Sequence, residues 1–321
     1  MTDTRPTLYL SRLLPDPVMA IVREGFQLTQ EPLDASPAPS ALREGLRQAD
    51  AAIVTLGDRI DTETIHAATR LKILANYAVG YNNIDLTAAQ QRGLIVTNTP
   101  DVLTDATADL TWALLLATAR RVVEGDTLVR SGHWTGWSPT QLLGAEVSGK
   151  TLGIIGMGRI GQAVAQRALG FRMLVRYHTR SRLAASSLPR EWEYRSLRDL
   201  FGEADVVTIH VPLTSATHHL IGARELAWMR SSALLINTAR GPIVDEGALV
   251  DALNTGTIAG AGLDVYEQEP ALHPALGQLK QVVLLPHLGS ATVQARVQMG
   301  LVCLKNIQAV LEGRPAPNQV H

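Results

Sequence analysis

Three charged residues stand where apolar runs in the second half of the chain stop. Arg240 follows Leu234-Leu-Ile-Asn-Thr-Ala and precedes Gly241, Glu269 lies just beyond Gly262-Leu-Asp264-Val, and His287 follows Val282-Val-Leu-Leu-Pro286. An arginine can clamp a carboxylate with two parallel hydrogen bonds, a geometry that lysine lacks. A histidine titrates near neutral pH and can give and take a proton in a reversible step. A carboxylate within hydrogen-bond reach favours the imidazolium and fixes its orientation. Singly, each also has an ordinary reading: a surface ion pair, a loop charge and a helix cap. His210 ends another apolar run, Val206–His210, and position alone does not separate it from His287.

A fourth constellation is Thr151-Leu-Gly-Ile-Ile-Gly156-Met-Gly158-Arg159-Ile160-Gly161. A short apolar run ends at Gly156, and the spacing of Ile160, Val164 and Leu169 then turns helical. In such a strand, turn and helix the first glycine permits the tight turn. The second lets a pyrophosphate approach the main chain, and the third lets helix and strand pack closely. The helix N-terminus then faces the phosphates with its free N–H groups and positive dipole end. A lone G-x-G-x-x-G is weak, but here another apolar run, Met173 to Tyr177, follows at βαβ distance. The expectation is a dinucleotide site.

These residues need a scaffold that ends several strands on one edge. The chain of 321 residues is long enough for two domains of roughly 150 residues. Short apolar runs alternate with helical patterns: Thr7–Leu10, Val18–Val22, Ala51–Thr55, Asp61–Ala68, Leu71–Ala75, Ile84–Gln91 and Leu94–Thr97. The second half repeats the rhythm with Val206–His210, Ala233–Asn237, Ile258–Val265 and Val282–Leu285, Asp245 being a plausible N-cap and Gly256 a stop. The fold class predicted is α/β: two doubly wound, Rossmann-like parallel-sheet domains with a cleft between them. Glu31 to Ser40, with three prolines, reads as a surface loop. A long helical pattern from Thr104 to about Arg130 suits a connector, with Gly132 as its stop, and Ala291 to Leu311 reads as one closing helix. His133, Trp134 and Trp137 form an aromatic loop, either an interface or ordinary packing.

Ligands of open α/β sheets bind beyond the carboxyl ends of strands. The polar turn Asn76-Tyr-Ala-Val79-Gly80-Tyr-Asn-Asn occupies such a place, although it reads equally well as a turn that needs a glycine. A formal charge of −1 and no long basic run give no footprint for nucleic acid or an anionic membrane, so the expected partner is a small molecule. The single Cys303 cannot form an internal disulfide and lies in a helical, apolar context. The N-terminus has no secretory pattern, and the apolar segment Trp112 to Ala119 is far short of a membrane span. A soluble, cytoplasmic protein is expected.

Several of these motifs, in this order, resemble the D-isomer-specific 2-hydroxyacid dehydrogenase family. They are Gly156-Met-Gly-Arg-Ile-Gly161, Asn237-Thr-Ala-Arg240-Gly-Pro-Ile-Val-Asp245, Gly262-Leu-Asp-Val265 with Glu269-Pro270, and Leu285-Pro-His287-Leu-Gly-Ser-Ala-Thr292. Asn76-Tyr-Ala-Val-Gly-Tyr-Asn-Asn-Ile-Asp85 and Asn98-Thr-Pro-Asp-Val-Leu-Thr-Asp-Ala-Thr-Ala-Asp109 extend the match into the first half, and the branch it most resembles contains glyoxylate/hydroxypyruvate reductases. The resemblance implies that Arg240 binds the substrate carboxylate and keto oxygen, that His287 donates the proton and that Glu269 pairs with His287. It implies that Val79 and Gly80 offer backbone N–H groups to the carboxylate, and that Asp264 holds the nicotinamide amide. Thr104, Val211, Pro212, Thr217, Thr238, Ala239 and Gly289 would line the cofactor beside Gly156, Gly158, Arg159, Ile160 and Gly161. It also implies a discontinuous substrate-binding domain, 1–100 plus 290–321, around a dinucleotide-binding domain, 101–289, and a homodimer. The expected reaction is NAD(P)H-dependent reduction of glyoxylate or hydroxypyruvate. Alternatives within the fold are a 2-ketogluconate reductase or a phosphite dehydrogenase, and of another class a corepressor-like binding protein. One departure stands out: mammalian members of this branch carry, in the loop after Trp137, a tryptophan that reaches a neighbour's active site, and here it aligns with Gln141.

Cofactor choice is read at the end of the second strand of the nucleotide unit. NAD enzymes place Asp or Glu there to accept bonds from the ribose 2′-hydroxyl. Arg176-Tyr-His178-Thr179-Arg180-Ser-Arg182 contains no acid. Arg180, with Thr179 and Arg182, can instead make charge-assisted bonds to a 2′-phosphate, unless these arginines form only a solvated basic loop. NADPH is expected to be preferred, with NADH usable.

Overall fold

The structure, a computed structural model, describes residues 4–183, 189 and 191–320. It contains two compact units, Met1–Leu103 with Ser290–His321, and Thr104–Gly289. The first is built from β1 (Thr7–Leu10), α1 (Asp16–Gly25), β2 (Gln27–Leu28), α2 (Pro39–Gln48), β3 (Ala51–Val54), α3 (Thr62–Ala67), β4 (Ile73–Asn76), α4 (Leu86–Arg92) and β5 (Ile95–Thr97), with the closing helix Val293–Leu311. Its five strands are all parallel, in the order β2-β1-β3-β4-β5. Helices cover both faces of such a sheet, so its strands read as unbroken apolar runs. Tyr9, Ala52, Val54, Leu74 and Val96 share one core with Leu42 and Leu46 of α2 and Ile65 of α3. On the closing helix, a Cβ at Gly300 would lie 2.6 Å from Val18, so that helix lies against α1 only because the residue has no side chain.

The second unit runs through α5 (Thr104–Ala119), α6 (Val122–Arg130), β6 (Thr151–Ile155), α7 (Arg159–Ala168), β7 (Leu174–His178), β8 (Glu193–Tyr194), α8 (Leu197–Glu203), β9 (Val206–Ile209), α9 (Ala223–Leu226), β10 (Leu234–Asn237), α10 (Glu246–Asn254), β11 (Gly260–Leu263) and β12 (Val282–Leu284). Its seven parallel strands are ordered β12-β11-β10-β9-β6-β7-β8. Alternate strand residues feed two cores. Ile155, Val207, Ile209 and Leu235 pack with Phe201, Leu226 and Leu249, while Ile154, Val175, Tyr177 and Ile236 pack with Trp112, Leu115 and Val164. Because β6 is flanked by β9 on one side and β7 on the other, the strand order reverses beside β6, which opens a crevice at its carboxyl end.

Some elements differ from expectation. The long helix predicted from Thr104 to Arg130 is two, broken at Arg121, whose φ of 53° is left-handed and cannot continue a right-handed helix. Arg121 then closes the first turn of α6 by pairing with Glu124 at 2.9 and 2.7 Å. The proline-rich loop gives way at Pro39 to α2, because proline fits the first turn of a helix. The two-residue strands β2 and β8 are too short to show a period. The last helix is capped by Thr292, whose hydroxyl accepts from the Ala295 amide, so His287 is no helix cap.

Candidate active site

The glycine turn has the three environments its sequence calls for. Gly156 has a φ of 97°, and a Cβ there would lie 2.6 Å from the His210 carbonyl carbon. A Cβ on Gly161 would lie 2.1 Å from the Gly156 carbonyl oxygen, so this glycine allows α7 to sit close on the turn. Around Gly158 nothing lies within 4 Å of the Cβ position, and that open space is what a pyrophosphate would fill. No side chain caps α7 at Gly158, so the positive end of the helix at Arg159, Ile160 and Gly161 is not neutralised by its own cap. These residues fit a dinucleotide.

On β7 and beyond it the arginines divide into two groups. Arg176 pairs with Glu193 at 3.2 Å and Glu203 at 3.3 Å, and Arg195 pairs with the same two carboxylates at 2.7 and 3.0 Å. Arg180 is exposed and has no ion pair with any described residue. Arg182 lies 5.9 Å from the Tyr194 ring centre, and the Thr179 hydroxyl donates to the Ser181 carbonyl at 2.8 Å. Elsewhere on this edge, Thr104 opens α5 and Val211-Pro212 follow β9. The Thr217 hydroxyl donates to the Pro212 carbonyl at 2.6 Å, Thr238 and Thr111 share a hydroxyl bond of 2.9 Å, and the Gly289 carbonyl accepts from Thr107 at 3.1 Å.

Arg240, Glu269 and His287 belong to three segments that follow β10, β11 and β12. Asn237 shapes the first: its amide donates to the Arg240 carbonyl at 2.9 Å and its side-chain oxygen accepts from the Ala239 amide at 3.0 Å. Asp264, fully buried, shapes the third. Its two oxygens accept from the Leu288 and Gly289 amides at 2.6 and 2.8 Å, and its carbonyl accepts from the His287 amide at 2.9 Å. Burial pushes the Asp264 carboxyl above the usual range, against the pull of those amides and of His287. Held this way, His287 adopts a φ of 55°, a conformation a histidine keeps only where its surroundings enforce it.

The imidazole Nδ1 of His287 lies 2.8 Å from Glu269 Oε2, and about a third of each side chain remains exposed. Burial works to raise the Glu269 carboxyl, but the His287 bond and charge, the Tyr266 amide and the Arg240 charge outweigh it and hold the group below its ordinary value. Glu269 is therefore a carboxylate at neutral pH, Nδ1 is the donor in the pair, and Nε2 is left for a ligand. Burial likewise works against the charge of Arg240, which Glu269 partly offsets.

His210 differs on every count. Its Nε2 bonds the Thr208 hydroxyl at 3.0 Å, and desolvation pushes its imidazole down to about 3, so it is the neutral ring and not an imidazolium acid at neutral pH. In the first unit, the carbonyls of Val79 and Gly80 are occupied by Asn98 and Asn76 side-chain amides, each at 2.8 Å. Cys303 is buried, and burial pushes its thiol up, so it carries no reactive thiolate. Among the described residues no helix is long and apolar enough to cross a membrane, and no His/Cys/Asp/Glu group is placed to hold a metal ion.

Comparison with known proteins gives a consistent picture. Residues 112–289 match the family model described as D-isomer specific 2-hydroxyacid dehydrogenase, NAD binding domain. A glyoxylate reductase of Thermococcus gammatolerans is 47% identical over 99% of this chain and 96% of its own length, and that of Thermococcus kodakarensis is 48% identical over the same shares. An NADPH-dependent glyoxylate/hydroxypyruvate reductase of Sinorhizobium meliloti, solved with NADP and malonate, superposes with a TM-score of 0.88 at 34% identity, covering 99% of this chain and 97% of that one.

Proposed function

We propose that this chain, which belongs to the D-isomer specific 2-hydroxyacid dehydrogenase family and binds a nicotinamide cofactor, reduces glyoxylate and hydroxypyruvate to the corresponding 2-hydroxy acids. The observation that carries the reading is the Nδ1–Glu269 pair of His287, which leaves Nε2 to face substrate while the same Glu269 feels the charge of Arg240. A bound nicotinamide supplies the hydride, chemistry that no side chain offers. Arg240 holds the substrate carboxylate and keto oxygen, and the Val79–Gly80 turn contributes backbone N–H groups to a carboxylate. Negative charge grows on the keto oxygen during reduction, where His287 delivers its Nε2 proton and Arg240 stabilises the charge. Glu269 orients the imidazole through its bond to Nδ1. Asp264 holds both the His287 segment and the nicotinamide amide, using the lone pairs that Leu288 and Gly289 leave. The complete acid, carboxylate and arginine set favours an enzyme over a binding protein on the same scaffold. Steady-state rates with glyoxylate, hydroxypyruvate, pyruvate and 2-ketogluconate test the reading. A kcat/KM highest for 2-ketogluconate, or no turnover of any of the four, would overturn it.

The cofactor preferred is NADPH. Arg176 and Arg195 are already neutralised, whereas Arg180 stands beyond the strand end with its charge available for a 2′-phosphate. A charge-assisted bond is worth about 1.5–3 kcal/mol, or roughly ten- to a hundredfold in affinity. NADPH is expected to exceed NADH in kcat/KM by that factor, and Arg180→Ala to erase the difference while leaving NADH use unchanged. Equal use of both cofactors by the unaltered chain would rule this out.

The chain is proposed to act as a homodimer. α6 has no buried residue, and it exposes Val122, Val123 and Val129 next to a loop that exposes Trp134, Trp137 and Leu143. That much apolar surface in one place is unusual on a monomer and fits a second copy of the same face. Sedimentation should give twice the chain mass at micromolar concentration, and Val129→Asp should lower it toward one chain. A monomer in the unaltered protein sinks the proposal.

A further inference from the structure

Tyr266 stands between β11 and Glu269, and the chemistry above makes no use of it. Its amide donates to Glu269 Oε1 at 3.1 Å. Its hydroxyl donates to the Leu285 carbonyl at 2.8 Å, two residues before His287. Its own peptide is the surface on which the Arg240 segment rests: a Cβ on Gly241 would lie 1.8 Å from the Tyr266 carbonyl carbon, so only glycine lets the two backbones meet. One residue thus touches the segments that carry all three charged groups. The next residue is anchored separately, because the Glu267 amide donates to Glu246 Oε1 at 2.8 Å and the Glu246 amide to Glu267 Oε2 at 3.4 Å. The ring therefore hangs from a fixed backbone and reaches across to the His287 segment.

We infer that Tyr266 is a positioning residue for proton delivery, its amide orienting the Glu269 carboxylate and its hydroxyl fixing the distance from that carboxylate to His287. The inference rests on the proposed reductase reading and deepens it. Burial, with the charges of Asp264 and Glu269, pushes the Tyr266 hydroxyl up to about 12, so it stays a donor at every pH of interest. The groups that face the pair are Asp264, Arg240 and Glu246, and none of them replaces the hydroxyl on the Leu285 carbonyl.

Tyr266→Phe keeps the ring and the amide and deletes only the hydroxyl. It is expected to lower kcat for glyoxylate about three- to tenfold, the rate equivalent of one net hydrogen bond, with KM for keto acid and cofactor nearly unchanged. In a Glu269→Gln background the same change should cost little further, because the hydroxyl acts through the carboxylate. By NMR, the Glu269 carboxyl of Tyr266→Phe should take up its proton at higher pH than in the unaltered chain, because the His287 bond that holds it down is loosened, a readout that needs no turnover and so survives failure of the substrate reading. An unchanged kcat and an unmoved Glu269 titration would overturn the inference. So would a loss of kcat that is fully additive with Glu269→Gln, which would mark Tyr266 as a general support of the fold.

Discussion

His287→Asn is expected to lower kcat for glyoxylate reduction by about 10²–10⁴, the usual worth of a positioned general acid, while cofactor affinity stays nearly constant. Asparagine suits the test because it tolerates the left-handed backbone that His287 adopts at φ 55°, so the segment held by Asp264 should keep its course. The competing candidate is His210, and His210→Asn should leave kcat within a few-fold, because its imidazole is already neutral. Near-normal turnover in His287→Asn with loss in His210→Asn would reverse the assignment. Glu269→Gln tests the same pair through pH. The Glu269 carboxyl is held below its ordinary value, so the pairing is present at neutral pH and is lost only as pH falls through that lowered value. Removing the carboxylate should therefore abolish the acid limb of the reduction profile that its protonation causes. An unmoved limb would remove Glu269 from this role.

Much of the scaffold could be read in advance because a parallel sheet covered on both faces leaves its strands as unbroken apolar runs. Leu152 to Ile155 and Leu234 to Ile236 are of this kind, and each ends at a residue with chemistry or a glycine turn. The break at Arg121 could not be read, since neither propensity nor periodicity marks a non-glycine residue in left-handed conformation in the middle of a helical pattern. α2 was hidden behind the prolines, although Pro39 at a first helical turn was a usable signal.

The site was legible as positions and not as pairings. Arg240, Glu269 and His287 could each be placed at a strand's carboxyl edge, but their joining depends on Asp264 turning two amides inward and forcing the backbone at His287. Asn237, Asn76 and Asn98 escaped notice as shapers of the turns at strand ends. Their signal was a polar residue closing an apolar strand, where a buried amide must find partners. Tyr266 escaped for a different reason: its hydroxyl bonds a backbone carbonyl on the segment after β12, and no spacing in the sequence encodes that contact.

Arg240→Ala should be the most damaging change after His287→Asn, and it should differ in kind, raising KM for the keto acid as well as lowering kcat. Two parallel charge-assisted bonds at about 1.5–3 kcal/mol each imply a loss in kcat/KM of roughly 10²–10⁴. Part of that loss falls on bound substrate and part on the charge that develops on the keto oxygen, so both constants move. The scaffold should survive, because Asn237 fixes this segment through main-chain atoms and not through the guanidinium. Glu269 would lose one of the charges that hold its carboxyl down, so the acid limb of the rate profile should rise to higher pH in the same variant. Arg240→Lys keeps a positive charge but not the planar fork, and should restore less than about a tenth of the lost kcat/KM. Full restoration by lysine would mean that charge alone suffices and that no two-pronged clamp exists, and an unchanged KM in Arg240→Ala would mean that the substrate carboxylate is held elsewhere.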